Sequence, residues 1–507
     1  MFTNQDFIAI EQHGIHQEAL QRQVSVVSRP QQVELLRPVT KNDGLLVLTE
    51  EEIVEKEKKY SQQIDSKCVV KFVPASGAAS RMFKDLFNFL NNNDLSDSVK
   101  EVIENLTQFA FFEKLAEIMK ANHLDIFQLI ENKQYQTIFS FLLESKGLNY
   151  ASLPKALLAF HRYNEQIRTA FDEHLIEAAA YACGKDNVAH LHFTISPEHA
   201  TLFQQYIKEK QAFYESLLQV KFEISFSFQD SSTDTIAFDF ENQPFRTDDG
   251  HLVFRPGGHG SLIKNLNTLN ADIAFIKNID NVTLDELKTD TITYKKVLAS
   301  LLLDYQQQTF DVLSHLRDGL HLEETITKAE LLLQRMFVKL SPSYPNFSLE
   351  EKKHYLFQLL DRPIRICGVV KQTGEPGGGP FWVTNKDGVH SLQIVESSEM
   401  NLNKIQQQKI FEQSRFFNPV DIVCSLKHFD GTCFDFEKYI DYSRFFVSTK
   451  SLNGKNLKAI ENPGLWNGAM SDWLTIFVLV PLTTFAPVKT INDLLHKEHL
   501  KRNNVFA

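Results

Sequence analysis

The residues of this sequence most suited to handling phosphate are cations placed on loops between regular elements. The segment Val73-Pro-Ala-Ser-Gly-Ala-Ala-Ser-Arg-Met82 follows the short β-branched and aromatic run Cys68–Pro74. A small-residue loop after a strand lets consecutive backbone N–H groups converge on an anion, and Arg81 would add fixed charge. By itself this composition also fits an ordinary turn after a strand. Lys155, directly after Pro154, and Lys489, in the proline-set stretch Phe485-Ala-Pro-Val-Lys489, stand just before expected helices, where a lysine reaches a phosphate as a point charge. A surface lysine near a turn is the plain alternative.

Two further segments belong with these. Phe254-Arg-Pro-Gly-Gly-His-Gly-Ser261 packs three glycines around His259, as backbone that closely approaches a flat ligand would need, although a structural glycine loop reads the same way. In Phe275-Ile-Lys-Asn-Ile-Asp-Asn-Val282 an apolar strand ends in polar residues, so Asp280 should emerge at the carboxyl edge of a sheet, where open α/β sheets bind ligands. A carboxylate there suits Mg²⁺, which takes one or two carboxylates plus substrate phosphates and water. An aspartate capping the next helix is the competing reading.

The elements that must position these residues alternate. Strands are expected at Cys68–Pro74, Val188–Ser196, Lys221–Phe228 and Ala271–Asp280, separated by helices near 164–183 and 198–218. Such alternation implies a mostly parallel, doubly wound α/β sheet. Residues 1–66 read as an N-terminal helical lead-in broken at Pro30 and Pro38. A core follows over 67–400, with a helical insertion at about 85–149, and 401–507 completes the chain.

Composition narrows the function. With 53 Lys plus Arg against 64 Asp plus Glu the net charge is −11, which argues against a surface built for nucleic acid or anionic lipid. The N-terminus lacks the basic-then-apolar order of a secretory signal and no stretch reads as a membrane span, so a soluble cytoplasmic protein is expected. Five cysteines without a CxxC pair are expected as free thiols. A polar strand face is the simpler account of His190 and His192, and Cys433 near His428 has no third partner in view.

Taken in order, the segments ASGAASRM, LPKALLAFH, PGGHG, KNIDN and FAPVKTINDLL resemble the motifs of the UDP-glucose and UDP-N-acetylglucosamine pyrophosphorylases, GT-A-like nucleotidyltransferases with a Rossmann-like fold. Over most of the length, including GEPGGGPFW, QIVESSE and PGLWNGAM, the chain is more similar to a bacterial family known as a domain of unknown function. The resemblance implies that Ser76, Gly77, Ser80 and Arg81 hold a nucleoside triphosphate, and that Lys155 and Lys489 offset phosphate charge. It further implies that Gln229, Gly257, Gly258 and His259 face the uridine, that Asp280 binds Mg²⁺, and that Glu396 and Asn418 hold the sugar. Ala79 departs from the family, which usually has a second glycine there, and the insertion before Lys155 is longer than usual. The implied reaction joins UTP and a sugar 1-phosphate, giving a UDP-sugar and pyrophosphate. A GT-A glycosyltransferase and a non-catalytic nucleotide-binding protein remain as alternatives.

Overall fold

The computed structural model of the chain describes residues 2–501 apart from residues 30, 78, 165, 375–376 and 385–387. Two compact units form, each from three separated stretches. The first takes the chain up to Val70, then Ser227–Ile276 and Lys295–Pro481; the second takes Lys71–Phe226, Lys277–Tyr294 and the chain from Leu482 onward. These units do not follow the consecutive spans 1–66, 67–400 and 401–507. Sheet pairing is the reason: the strand Phe416–Ser425, from the last span, lies between Ile364–Lys371 and Ile273–Ile276 of the middle one.

In the first unit the strands run in the order Thr40–Lys41, Gly44–Leu46, Leu474–Leu479, Ile364–Lys371, Phe416–Ser425 and Ile273–Ile276. The first three pairings are parallel and the last two antiparallel. The α/β class with a mostly parallel sheet is thus what the alternation implied. Ile364–Lys371 is buried at every position but the last, and such near-continuous apolar runs are what a sheet covered on both faces requires. Helices Leu322–Arg335 and Leu349–Leu360 precede that strand, the latter opened by a reciprocal cap between Ser348 and Glu351.

The N-terminal lead-in differs from expectation. Helices Asn4–Gln12, Gln17–Ser28 and Glu50–Gln63 are present, but Leu35–Pro38, Thr40–Lys41 and Gly44–Leu46 between them are strands. Leu35–Pro38 pairs with Gly378–Thr384, and Leu45 with Phe477. Burial of Leu35, Val39 and Leu45 favours extended backbone here, and a proline at the end of a short edge strand costs no ladder bond. Pro30, Ala78 and the Glu375-Pro376 pair of the GEPGGGPFW motif lie outside the described residues.

In the second unit Val69–Pro74, Val188–Thr194 and Lys221–Ser227 lie side by side in that order. Five short helices from Lys84 to Leu143 form the expected insertion. Lys155 opens a single 3-10 turn, Lys155–Leu157, which leads into a hairpin in place of the expected longer helix: Ala159–Tyr163 pairs antiparallel with Gln166–Thr169. The helix expected from 164 therefore starts at Ala170, where Thr169 and Asp172 cap each other. Among the described residues no helix is long and apolar enough to cross a membrane.

Candidate functional site

The second unit gathers four of the loop segments around Asp280. Its Oδ2 accepts hydrogen bonds from Lys155 Nζ at 2.9 Å and Lys489 Nζ at 3.0 Å. Backbone bonds hold these segments together: Lys155 N–H donates to Gly77 O (3.5 Å), Val488 N–H to Asp280 O (3.0 Å) and Ile491 N–H to Met82 O (3.2 Å). The motif's next residue, Asn281, accepts from Ala486 N–H at 2.8 Å, which fixes the approach of the chain to Lys489. Downstream, Asp493 caps the N–H groups of Lys489 and Thr490, and Asn492 is tied to Ser98 of the helical insertion.

Exposure separates the two lysines. The Lys155 side chain is 13% exposed and that of Lys489 58%, while Asp280 is buried. Burial pushes the Asp280 carboxyl up, but the Lys155 and Lys489 ammonium groups outweigh it and hold the group below the ordinary carboxylate range. Burial lowers the Lys155 ammonium, with Asp280 opposing it. The second oxygen, Oδ1, is buried without a hydrogen-bond partner.

In the adjoining loop Gly77, Ser80 and Arg81 are exposed, and Ser76 is half-buried with its carbonyl accepting from Ser196 Oγ at 3.1 Å. A Cβ at Gly77 would meet nothing within 4 Å. The methyl of Ala79 packs inward and is buried. The protein's own packing therefore places no steric demand on Gly77.

Within the first unit a different group forms around His259. Its ring stacks on Trp466 with centroids 4.1 Å apart, its Nδ1 accepts from Leu465 N–H at 3.1 Å, and its Nε2 lies 3.9 Å from Glu396 Oε1. Trp466 Nε1–H also donates to Glu396 Oε1, at 3.3 Å. Burial lowers the His259 pKa against the pull of Glu396 and Glu461, in keeping with an Nδ1 that accepts. The neighbouring glycines have structural causes. A Cβ at Gly257 would lie 2.4 Å from Thr233 O and one at Gly260 2.1 Å from Pro463 O, whereas Gly258 takes a positive φ of 78° beside Glu461. Gln229 donates to Asp234 Oδ1 at 3.3 Å. Asn418 is buried and spent on backbone, donating to Gly368 O and accepting from Val420 N–H where the strand turns through a positive φ.

The structure thus brings Gly77, Lys155, Asp280 and Lys489 together in one unit, and His259 and Glu396 together in the other. A family model described as "Domain of unknown function (DUF4301)" matches residues 3–500. The chain belongs to the DUF4301 family. No curated protein matches it.

Among solved structures, this DUF4301 chain is similar to a UDP-glucose pyrophosphorylase mutant from Leishmania major in complex with UDP-glucose, at 12% identity and a TM-score of 0.45, covering 97% of this chain and 77% of that one. It is also similar to the uridine diphosphate N-acetylglucosamine pyrophosphorylase from Trypanosoma brucei in complex with inhibitor, at 10% identity and a TM-score of 0.49, covering 97% and 79%. A UDP-glucose phosphorylase from Trypanosoma brucei matches at 17% identity and a TM-score of 0.36, covering 68% and 60%.

Sequence reasoning passed over several residues of these clusters in the DUF4301 chain. Trp466, within PGLWNGAM, is given no role by the sequence, and only the fold shows its indole in contact with both His259 and Glu396. Glu177, to which the sequence assigned nothing, is buried between Lys71 and Lys277. His190 pairs with Glu223 and His192 with Ser225, and among the described residues no cluster of three or more His, Cys, Asp or Glu is arranged to hold a metal ion.

Proposed function

We propose that the chain is a nucleotidyltransferase that joins UTP to a sugar 1-phosphate. One observation carries the reading: two lysines from distant segments, Lys155 and Lys489, meet on the single buried carboxylate of Asp280 beside an open glycine loop. An oxygen of the sugar phosphate attacks the α-phosphorus, the bond to the bridging oxygen breaks, and pyrophosphate leaves with the electron pair. The chain's work is to align two polyanions and offset their charge, the factors that dominate phosphoryl transfer. Lys155 and Lys489 turn from Asp280 to phosphate oxygens, and exposed Arg81 and Ser80 meet the triphosphate from the loop.

Asp280 fits a magnesium ion held mainly by substrate, since one carboxylate oxygen is buried without a hydrogen-bond partner and Mg²⁺ needs only one or two carboxylates beside phosphates and water. When bound, Mg²⁺ would neutralise charge on the phosphates. For the uridine and the sugar, Gln229, Gly257, Gly258, His259, Glu396 and Asn418 rest on the motif resemblance. Asn418 is the weakest of them, because its amide already serves the backbone.

The test is incubation with UTP, Mg²⁺ and a panel of sugar 1-phosphates, measuring pyrophosphate. Release that depends on one of the sugar phosphates, and that falls by roughly 10²–10³ in Lys155→Ala and Lys489→Ala, is the expected result, by analogy with deleting one preorganised donor. Full activity in either variant overturns the assignment of that lysine. UDP release from a UDP-sugar would make the protein a glycosyltransferase, and UTP binding without pyrophosphate exchange would make it a non-catalytic binder.

A further inference from the structure

The helix Ala170–Tyr181 carries four fully buried ionisable side chains, Asp172, Glu173, His174 and Glu177. Burying charge is costly unless it is partnered, and each of the four is committed to another element of the second unit. Asp172 caps Thr169 and accepts from Tyr206 Oη at 2.7 Å. Glu177 takes Lys277 Nζ at 2.7 Å on Oε1, and on Oε2 both Lys71 Nζ at 2.8 Å and Tyr181 Oη at 2.9 Å. One carboxylate thereby ties the strand that runs into the Gly77 loop to the segment that runs into Asp280.

His174 Nε2 lies 3.2 Å from the carbonyl oxygen of Ile279, the residue before Asp280. Burial, beside Lys71 and Lys277, holds the imidazole neutral, and its Nδ1 is buried without a partner, so its one proton sits on Nε2 and is donated to that carbonyl. Glu173 secures the other side of the cluster. It accepts from Lys288 Nζ at 2.6 Å and pairs with His161 Nδ1 at 2.8 Å, while His161 Nε2 meets His499 Nδ1 at 2.9 Å at the end of the segment that bears Lys489. Next to His499, Glu498 O accepts from Leu284 N–H and Thr283 Oγ.

We infer that the helix Ala170–Tyr181 is the spine that positions Asp280 and its two lysines, with His174 a positioning residue acting on Asp280 through the Ile279 carbonyl. Its consequence for catalysis rests on the proposed nucleotidyl transfer; its geometric part does not. His174→Phe keeps the ring volume and removes the donor, whereas His174→Gln keeps a donor able to reach the carbonyl.

The first readout needs no turnover: amine-labelling rates of Lys155 and Lys489 in the full chain, measured by mass spectrometry. If Asp280 shifts in His174→Phe, Lys155 loses the hydrogen bond that holds its amine, and its labelling rises by about threefold or more, the worth of one net hydrogen bond. His174→Gln should label like the wild type. The second readout is pyrophosphate release, where kcat should fall about tenfold or more in His174→Phe, since a displacement of ~1 Å can cost on the order of a hundredfold, and recover in His174→Gln. A folded His174→Phe protein with wild-type labelling of both lysines overturns the inference, as does equal labelling in the Phe and Gln variants. If His174→Phe does not fold, His174→Leu answers the same question. Wild-type protein that turns over no nucleotide while the labelling contrast holds refutes the proposed function and leaves the spine intact.

Discussion

Replacing Lys155 or Lys489 with methionine removes one ammonium from the same carboxylate oxygen, yet the two changes should differ in stability and agree in activity. At 2.9 Å the gross Coulomb energy of the Lys155–Asp280 pair is about 6 kcal/mol at an effective dielectric of ~20. Removing one partner of a buried pair costs about 3–5 kcal/mol when the remaining charge is left unpaired; Lys489 still donates to Asp280 after Lys155 is lost, so Lys155→Met should cost about 2–3 kcal/mol. Lys489 lies at 3.0 Å but its side chain is 58% exposed, so water screens the contact and its loss should cost about 0–1 kcal/mol. Urea unfolding at pH 7.5 gives both stabilities, and pyrophosphate release gives both activities. Lys155→Met combined with Asp280→Asn removes both buried charges and should recover about half or more of the lost stability without recovering activity, the coupling a double-mutant cycle measures. Lys155→Met and Lys489→Met equally destabilised, or an Asp280→Asn change that adds to the loss, would refute the electrostatic argument.

Other outcomes follow from the glycines and from pH. Gly77→Ala should leave stability within about ±0.5 kcal/mol, since its Cβ meets open space, while weakening UTP binding measured by calorimetry. Gly260→Ala drives a Cβ into Pro463 O and should cost about 1–3 kcal/mol or more in urea unfolding. His192 is buried against Phe72, and burial lowers its pKa from 6.5 to about 4. The unfolded chain therefore binds that proton more readily, so its contribution is complete above pH 6.5, falls as pH drops, and is gone below about pH 4, a loss of up to ~3 kcal/mol. His192→Gln should flatten the stability profile across that window, and an unchanged acid slope would rule the residue out.

Local patterns in the chain sufficed for what depends on neighbours a few residues apart. The apolar strand entering Lys277-Asn-Ile-Asp280 and the periodicity of the helical insertion arise from backbone sterics and short-range contacts, so their residues announce them. The glycines of 257–260 were legible as a tight place, but not its cause, which is the backbone at Thr233 and Pro463.

Tertiary structure alone decided which distant groups share a partner. Leu35–Pro38 is a strand because Gly378–Thr384 pairs with it, and neither segment contains that information by itself. The acids on Ala170–Tyr181 look like a solvated helix face until Lys71, Lys277 and Lys288 are folded against them. Composition and motif order could name Lys155, Asp280 and Lys489 as ingredients. That both ammonium groups rest on one carboxylate oxygen is a property of packing, because a charge is set by its own residue whereas its partner is set by every contact that brings the chain back to it.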